Sequence, residues 1–301
     1  MAIPSGSLTG VTDIAALVQT AYDQYVRMAL RSIPVMRAVA DVKPVQQAMP
    51  GSSVVFSIYS DLAAATSTLT ETTDVSSVAL GNPSQVTVTL QEYGSAVTTT
   101  KKLNLTSFND VDAALADIIA YNAADSIDQV VAGVLTAGTN VIYAGTATST
   151  NTITSSMTLS VADIREAVVQ LRTNKALPRI GELYAAYVHP RQSADLRAEA
   201  GTGGFQELTK YVDRTPFVAG AVGVLEGSFV VETPRVPYAA NSGGVNVYKA
   251  IIAGREALAE AMAQDISTVI GPEIDALRRF RTIGWYYFGG FNRLREAALY
   301  R

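Results

Sequence analysis

A chain of 301 residues, 48% hydrophobic and 17% charged, is long enough for one large domain or two ordinary ones and excludes wholesale disorder. It contains no Cys and a single His, His189, which removes disulfides, thiolate metal sites and thiol nucleophiles and nearly empties the list of general bases. A net charge of −4 has the wrong sign for neutralising phosphates, so any contact with nucleic acid is expected to be non-specific.

Residues 12 to 31 place Ile14, Leu17, Val18, Ala21, Tyr25 and Met28 at helical spacing and predict an amphipathic arm that stops before Pro34. The opening residues, Met1 to Gly6, have neither a basic nor an apolar leader region, which predicts a cytosolic product. Strands are expected at 51 to 60 and 84 to 92, the second with Val86, Val88 and Leu90 alternating against Gln85, Thr87 and Thr89. More than twenty polar, Thr-rich residues separate them, ending in the turn signal Gly81-Asn82-Pro83. The pair reads as a long two-stranded arm. At about 3.3 Å per residue, roughly 20 residues reach about 65 Å, beyond a body whose radius of gyration is near 19 Å. Such a ribbon lies either on a neighbouring copy or as a third strand over its own sheet.

The longest helical signal runs from Ser107 to Gly138, with Asp110 and Asp112 in the dipole-favoured first turn. Its stripe is Val111, Leu115, Ile118, Ile119, Ile127, Val130, Val131, Val134 and Leu135. About 27 residues at 1.5 Å span roughly 40 Å, so the helix is a strut. Asp110 and Asp112 are helix-start acids, since no third ligand follows at metal-site spacing. A second helix is capped by the Ser160-x-x-Asp163 signature and buries Ile164, Ala167, Val168 and Leu171. A strand from Glu182 to Val188 then meets His189-Pro190, a strand-to-helix corner with Pro190 suited to the first helical position. The helix is expected to run to about Ala200, before the loop Gly201-Thr202-Gly203-Gly204.

That loop fails the dinucleotide pattern because Gln206 stands at the third Gly position. There is no Walker lysine and no Gly-x-Ser-x-Gly elbow, so His189 reads as a structural corner residue. The longest nearly uncharged apolar run, Phe217 to Leu225, is nine residues, about half a membrane span. Further strands are predicted at Ser228 to Glu232 and Val245 to Ala253, with a Pro234-x-x-Pro237 turn between them and a helix at Arg255 to Ala263. A final apolar and basic segment runs from Arg278 to Arg301, with Gly289-Gly290 as a turn. Strands flanking helices, with sheet partners far apart in sequence, predict an α+β fold.

Charge is unevenly spread. Residues 44 to 164 hold ten acids and two bases, Lys101 and Lys102, whereas 165 to 301 hold 17 bases and 14 acids. Either the acids solvate helix faces, or the acidic part of one copy meets the basic part of the next. On the second reading, Glu71, Asp74, Lys101, Lys102, Arg278, Arg279 and Arg281 are the candidate assembly-interface residues.

The order of parts resembles the phage major capsid proteins of the Hong Kong 97 fold, and within them the N4-type major capsid family. The resemblance is carried by Leu69-Thr70-Glu71, by the helix at 160 to 173 with Leu171, and by Tyr187-Val188-His189-Pro190 followed by Asp195-Leu196-Arg197. It continues through Gly223-Val-Leu-Glu-Gly227-Ser-Phe-Val-Val-Glu-Thr-Pro234 and the terminal Gly284-Trp285-Tyr286. It implies an N-terminal arm (1–48), an extended hairpin or E-loop (49–103) and a peripheral domain with its spine helix (104–182). An axial domain (183–248), with His189, Pro190, Gly223 and Gly227 at its corner, and returning peripheral strands (249–301) complete it.

The implied function is structural: self-assembly into pentamers and hexamers of an icosahedral head enclosing double-stranded DNA, with no catalytic residue, metal or cofactor. The implied partners are further copies of the chain, a portal, a separate scaffolding protein and a cement or decoration protein. Covalent cross-linking of the founding member's kind is not expected, because residues 44 to 100 contain no Lys. An encapsulin-like compartment shell and a carboxylate-dependent hydrolase are the alternative readings.

Overall fold

The computed structural model describes residues 34–44, 52–72, 74–75, 77–106, 111–199, 223–273 and 275–301. The arm helix expected at 12 to 31, the loop at Gly201 to Gly204 and the acid Asp110 lie outside them.

The architecture rests on two sheets. Strands β1 (Ala40–Pro44), β4 (Gln91–Thr100), β11 (Leu258–Ile270) and β12 (Phe280–Arg293) form the first, in the order β1-β11-β12-β4. β1 runs parallel to β11, and the other pairings are antiparallel. The second sheet has the order β13-β10-β5-β7-β6, from β5 (Tyr184–Val188), β6 (Gly223–Leu225), β7 (Ser228–Glu232), β10 (Ile251–Ala253) and β13 (Leu299–Tyr300). Two small hairpins stand apart, β2 (Ser53–Ile58) with β3 (Ser84–Thr89), and β8 (Tyr238–Ala240) with β9 (Asn246–Tyr248). The expected single strand at 245 to 253 is thus two short strands in different sheets.

The helices follow the sequence pattern closely. A short α1 (Lys101–Thr106) follows β4 directly. The strut, α2 (Val111–Thr136), is 26 residues, about 39 Å. Its buried line is Leu115, Ile119, Ala123, Ile127, Val131 and Leu135, a strict four-residue repeat that leaves Ile118 exposed. The N-terminal half of that line packs on Ile283, Trp285 and Tyr287 of β12, and Trp285 Nε1 donates to Asn122 Oδ1 at 2.9 Å. The C-terminal half joins Met36, Val39, Tyr187, Ile251, Leu258 and Leu299 in the core between the two sheets. Helix α3 (Val161–Thr173) has the predicted reciprocal cap, and with α4 (Pro190–Ala198) it covers the second sheet through Ile164, Val168, Leu171 and Leu196.

Two predicted elements are overturned. Arg255 to Ala263 contains no helix: from Leu258 it is β11, in the sheet interior between β1 and β12. Ala, Glu and Met favour helix locally, but burial on both faces decides. Leu258, Glu260 and Met262 face the core while Ala259 and Ala261 pack under the hairpin root. Gly289-Gly290 is not a turn but lies inside β12, where the hairpin crosses it. A Cβ on Gly290 would stand 2.0 Å from Thr89 O. Beyond residue 92, β4 has no counterpart among the predicted elements, its polar Thr run giving no apolar alternation.

Candidate assembly surfaces

The extended hairpin is rooted firmly and then released. β2 and β3 pair over six residues each, Ser53 with Thr89 through Ile58 with Ser84. Val54, Phe56, Val88 and Leu90 bury that root against Ala259, Ala261 and Phe288, and Asn292 Nδ2 donates to Thr87 O at 2.9 Å. Beyond Ile58 the ladder stops, which corrects the expectation of a two-stranded arm along the whole length. An uncovered polar ribbon gains too little burial to hold a ladder in water. The described residues of the 59–83 loop are almost all exposed, with Leu69 at 76% and Val78 at 75%. Glu71 and Asp74 sit near its midpoint, and Asp74 Oδ1 accepts its neighbour's N–H, Val75 N, at 2.8 Å.

At the far end of the first sheet the structure gathers five of the predicted bases. β4 and β12 are in register from Gln91 with Gly289 to Thr100 with Phe280, and Lys101 N donates to Arg279 O at 2.8 Å. Lys101, Lys102, Arg278, Arg279 and Arg281 therefore all lie within two residues of one hydrogen bond, and all five are exposed. Asp275 pairs with Arg279, whose guanidinium also lies 5.5 Å over the Phe280 ring. Arg278 adopts a left-handed φ of 54° and donates its N–H to Asp275 O at 2.9 Å, which closes the β11–β12 turn. The result is a localised positive end on a chain of net negative charge.

The corner at His189 is built from backbone satisfaction. His189 caps α4: its Nδ1 accepts Arg191 N at 3.1 Å, while Gln192 Oε1 accepts His189 N at 3.1 Å. Pro190 occupies the first helical position. The imidazole packs on Tyr248, ring centroids 4.4 Å apart, and edge-on to Tyr238 at 6.0 Å. Partial burial, with help from Arg191, pushes its pKa down. Gly223 and Gly227 both have positive φ, 65° and 80°, and Glu226-Gly227 forms the two-residue turn between β6 and β7. Gly227 is also a close-approach site, since a Cβ there would meet Arg172 Nη2 at 2.7 Å. Among the described residues no cluster of three His, Asp or Glu side chains is placed to hold a metal ion.

The family model described as phage capsid protein matches residues 9–298, nearly the entire chain. The chain belongs to that family. It is a phage major capsid protein, a structural component of the virion shell and not an enzyme. No curated protein matches it. Its fold is the α+β fold of Hong Kong 97-type capsid structures. The capsid of cyanophage P-SCSP1u superposes with a TM-score of 0.75 at 17% identity, covering 99% of this chain and 95% of the other. The capsid of Ralstonia phage GP4 gives 0.74 at 16% identity, with 97% and 94% covered. Family membership displaces the encapsulin-like and hydrolase alternatives.

Sequence reasoning missed the polar groups that hold this capsid protein together. The segment from Val35 to Pro44 is clasped from three sides. Asp128 of α2, 1% exposed, accepts Met36 N at 2.6 Å and Arg37 N at 3.2 Å. Its second oxygen lies 3.7 Å from Arg235, which also pairs with Asp125 at 2.6 Å and donates to Tyr121 Oη at 2.6 Å. Burial raises the pKa of Asp128, opposed by those backbone N–H groups and by Arg235. Arg179 binds Asp41 and donates to the carbonyls of Ala38 and Ala40, while Asp41 Oδ2 accepts Glu256 N at 2.8 Å. The available signal was an acid beside the buried stripe of α2: Asp128 adjoins Ile127 and stands one turn before Ala132.

Proposed function

We propose that this capsid protein closes pentamers and hexamers of an icosahedral head around double-stranded DNA by laying the 59–83 loop of each copy on the positive end of its neighbour. The observation that carries the reading is the loop itself: a short ladder well buried at its root, followed by a stretch with exposed Leu62, Leu69, Val75, Val78 and Leu80. Fully extended, about twelve residues on each side reach about 40 Å from the root. Its midpoint acids Glu71 and Asp74 complement Lys101, Lys102, Arg278, Arg279 and Arg281.

In this reading residues 1–48 are the N-terminal arm, and 49–103 supply the loop and the strand that returns it to the first sheet. Residues 104–182 and 249–301 build the peripheral domain around α2, and 183–248 the axial domain, whose corner is His189, Pro190, Gly223 and Gly227. Within the family this reading assigns the chain to the N4-type, on the resemblance of Leu69-Thr70-Glu71 and Tyr187-Val188-His189-Pro190. A portal and a separate scaffolding protein are the helpers this reading assigns, with a cement or decoration protein where added hold is needed, because the loop offers no lysine for covalent closure. Deleting Ala63 to Ser77 tests the reading. The shortened chain is expected to fold and form no closed shells by light scattering and negative-stain microscopy; normal shells would overturn it.

A further inference from the structure

Strand β4 is an edge of the first sheet among the described residues. Lys101 N donates to Arg279 O, and the β4–β12 register runs without a shift, so Tyr93, Ser95, Val97 and Thr99 turn their backbone groups toward β12. The β11 side agrees: Gly271 N donates to Thr282 O, so the even-numbered residues of β12 face β11. It follows that Gly94, Ala96 and Thr98 aim their N–H and C=O groups away from the sheet, where no strand lies among the described residues. Proteins blunt such edges with charges, prolines or bulges. Gly94 to Thr100 has none of these, and every residue in it except Thr99 is exposed.

We propose that in the assembled shell this edge is completed by strand addition: the flank Ala63–Thr70 of a neighbouring copy's loop runs beside Gly94–Thr100 in the parallel sense. The inference rests on the loop docking on a neighbour, and it adds the mode and register. The chemistry of the two segments matches. Ala63–Thr70 is exposed, uncharged, free of Gly and Pro, and carries Thr66, Thr68 and Thr70 in alternation, a composition suited to an extended strand. Pairing Thr68 with Thr98 places the first acid after the flank, Glu71, beside Lys101. The same register puts Leu69 on the face that carries Val97, and both are exposed in the single chain. Main-chain hydrogen bonds then supply adhesion while the charged end fixes the register.

Hydrogen exchange on the unmodified protein tests this. In dissociated subunits Gly94, Ala96 and Thr98 amides are expected to exchange fast while Ser95, Val97 and Thr99 are protected. In shells the three outward amides are expected to slow by about a hundredfold or more. Equal exchange in shells and subunits overturns strand addition while leaving loop docking intact. Failure of the protein to form shells at all counts against the docking reading instead. A second measurement uses the absence of native Cys. Shells of the double variant Thr66→Cys, Ala96→Cys are expected to give disulfide-linked oligomers on a non-reducing gel. Thr66→Cys with Lys175→Cys serves as the control pair, and equal linking in both overturns the register.

Discussion

Arg37 grips Glu260 with two nitrogens: Nη2 is 2.6 Å from Oε1, and Nε is 3.2 Å from both carboxylate oxygens. Glu260 is completely buried near the start of β11, and Tyr287 Oη donates to the same Oε1 at 2.9 Å. Its own burial first, and then that neighbouring carboxylate, push the Tyr287 phenol far up. Arg37 also reaches Asp265 at 3.1 Å and lies 5.5 Å over the Tyr287 ring. One side chain therefore ties the entering segment to two strands.

Glu260→Ala should be strongly destabilising. It strands the Tyr287 hydroxyl and half of the Arg37 guanidinium, and breaking a buried pair costs about 3 kcal/mol or more. Arg37 keeps some contact with water, so the lower end of that range is expected. Urea denaturation of the dissociated subunit measures it, and a loss under about 1 kcal/mol would show that the clasp is dispensable.

Asp128 separates hydrogen bonding from charge. Asp128→Asn retains a carbonyl oxygen for Met36 N and Arg37 N, whereas Asp128→Ala leaves both without an acceptor and should cost about 2 kcal/mol more. The pH dependence has a definite sign. Because the folded-state pKa is raised, the native wild type holds a proton that the unfolded chain has released in the window just above the ordinary value of 3.8. Wild type should therefore gain stability relative to Asp128→Asn as pH falls through that window, measured by paired urea titrations. A difference that stays flat or reverses would remove burial as the dominant influence on this carboxylate.

What could be read in advance were features whose cause is local. The Ser160 and Asp163 cap, the His189-Pro190 corner, the alternation of β3 and most of the apolar stripe of α2, Ile118 excepted, all depend on neighbours a few residues away. β11 was misread because its Ala, Glu and Met preferences are local too, while the burial that overrides them comes from β1 and β12, distant in sequence. The basic end was half legible. Lys101-Lys102 and Arg278 to Arg281 were visible as charges, but only the β4–β12 register joins them into one surface. Asp128 was marked only by its place beside the buried stripe of α2, and Glu260 and Arg179 carried no readable mark of their contacts, since a buried charge and a solvated one are the same letter.

Two glycines should respond in opposite directions. Gly290→Ala forces a Cβ into the Thr89 carbonyl, so either the hairpin root lifts or β12 distorts, at a cost of about 1–3 kcal/mol. Gly133 lies in α2 with nothing within 4 Å of a built Cβ, so Gly133→Ala should stabilise by about 0.5–1 kcal/mol through helix propensity. Thermal melts of both variants beside wild type check the pair, and equal effects would argue against the close crossing at Gly290.

His189→Ala should cost about 1 kcal/mol, the value of a helix cap, and His189→Asn should restore most of it. Its depressed pKa means that the unfolded chain takes up the proton first as pH falls below 6.5. The contribution of His189 is thus present above that value and lost on acidification through the folded-state pKa, when Nδ1 can no longer accept Arg191 N. A melting curve followed from pH 8 to pH 5 should show this loss in wild type and not in His189→Asn.

Charge reversal at the basic end tests assembly directly. Arg279 is the best target, because its side chain is mostly exposed and its intrachain partner Asp275 is four residues away, so Arg279→Glu leaves the β4–β12 ladder intact. If the end receives the acidic loop of a neighbour, reversal replaces an attraction by a repulsion, and assembly followed by light scattering should slow. The effect should shrink as salt rises, since at about 1 M the screening length falls to about 3 Å. Pairing Arg279→Glu with Glu71→Arg should recover part of the rate at low salt. A slowing that is the same at every salt concentration, or that Glu71→Arg worsens, would place the loop on some other surface of the neighbouring subunit.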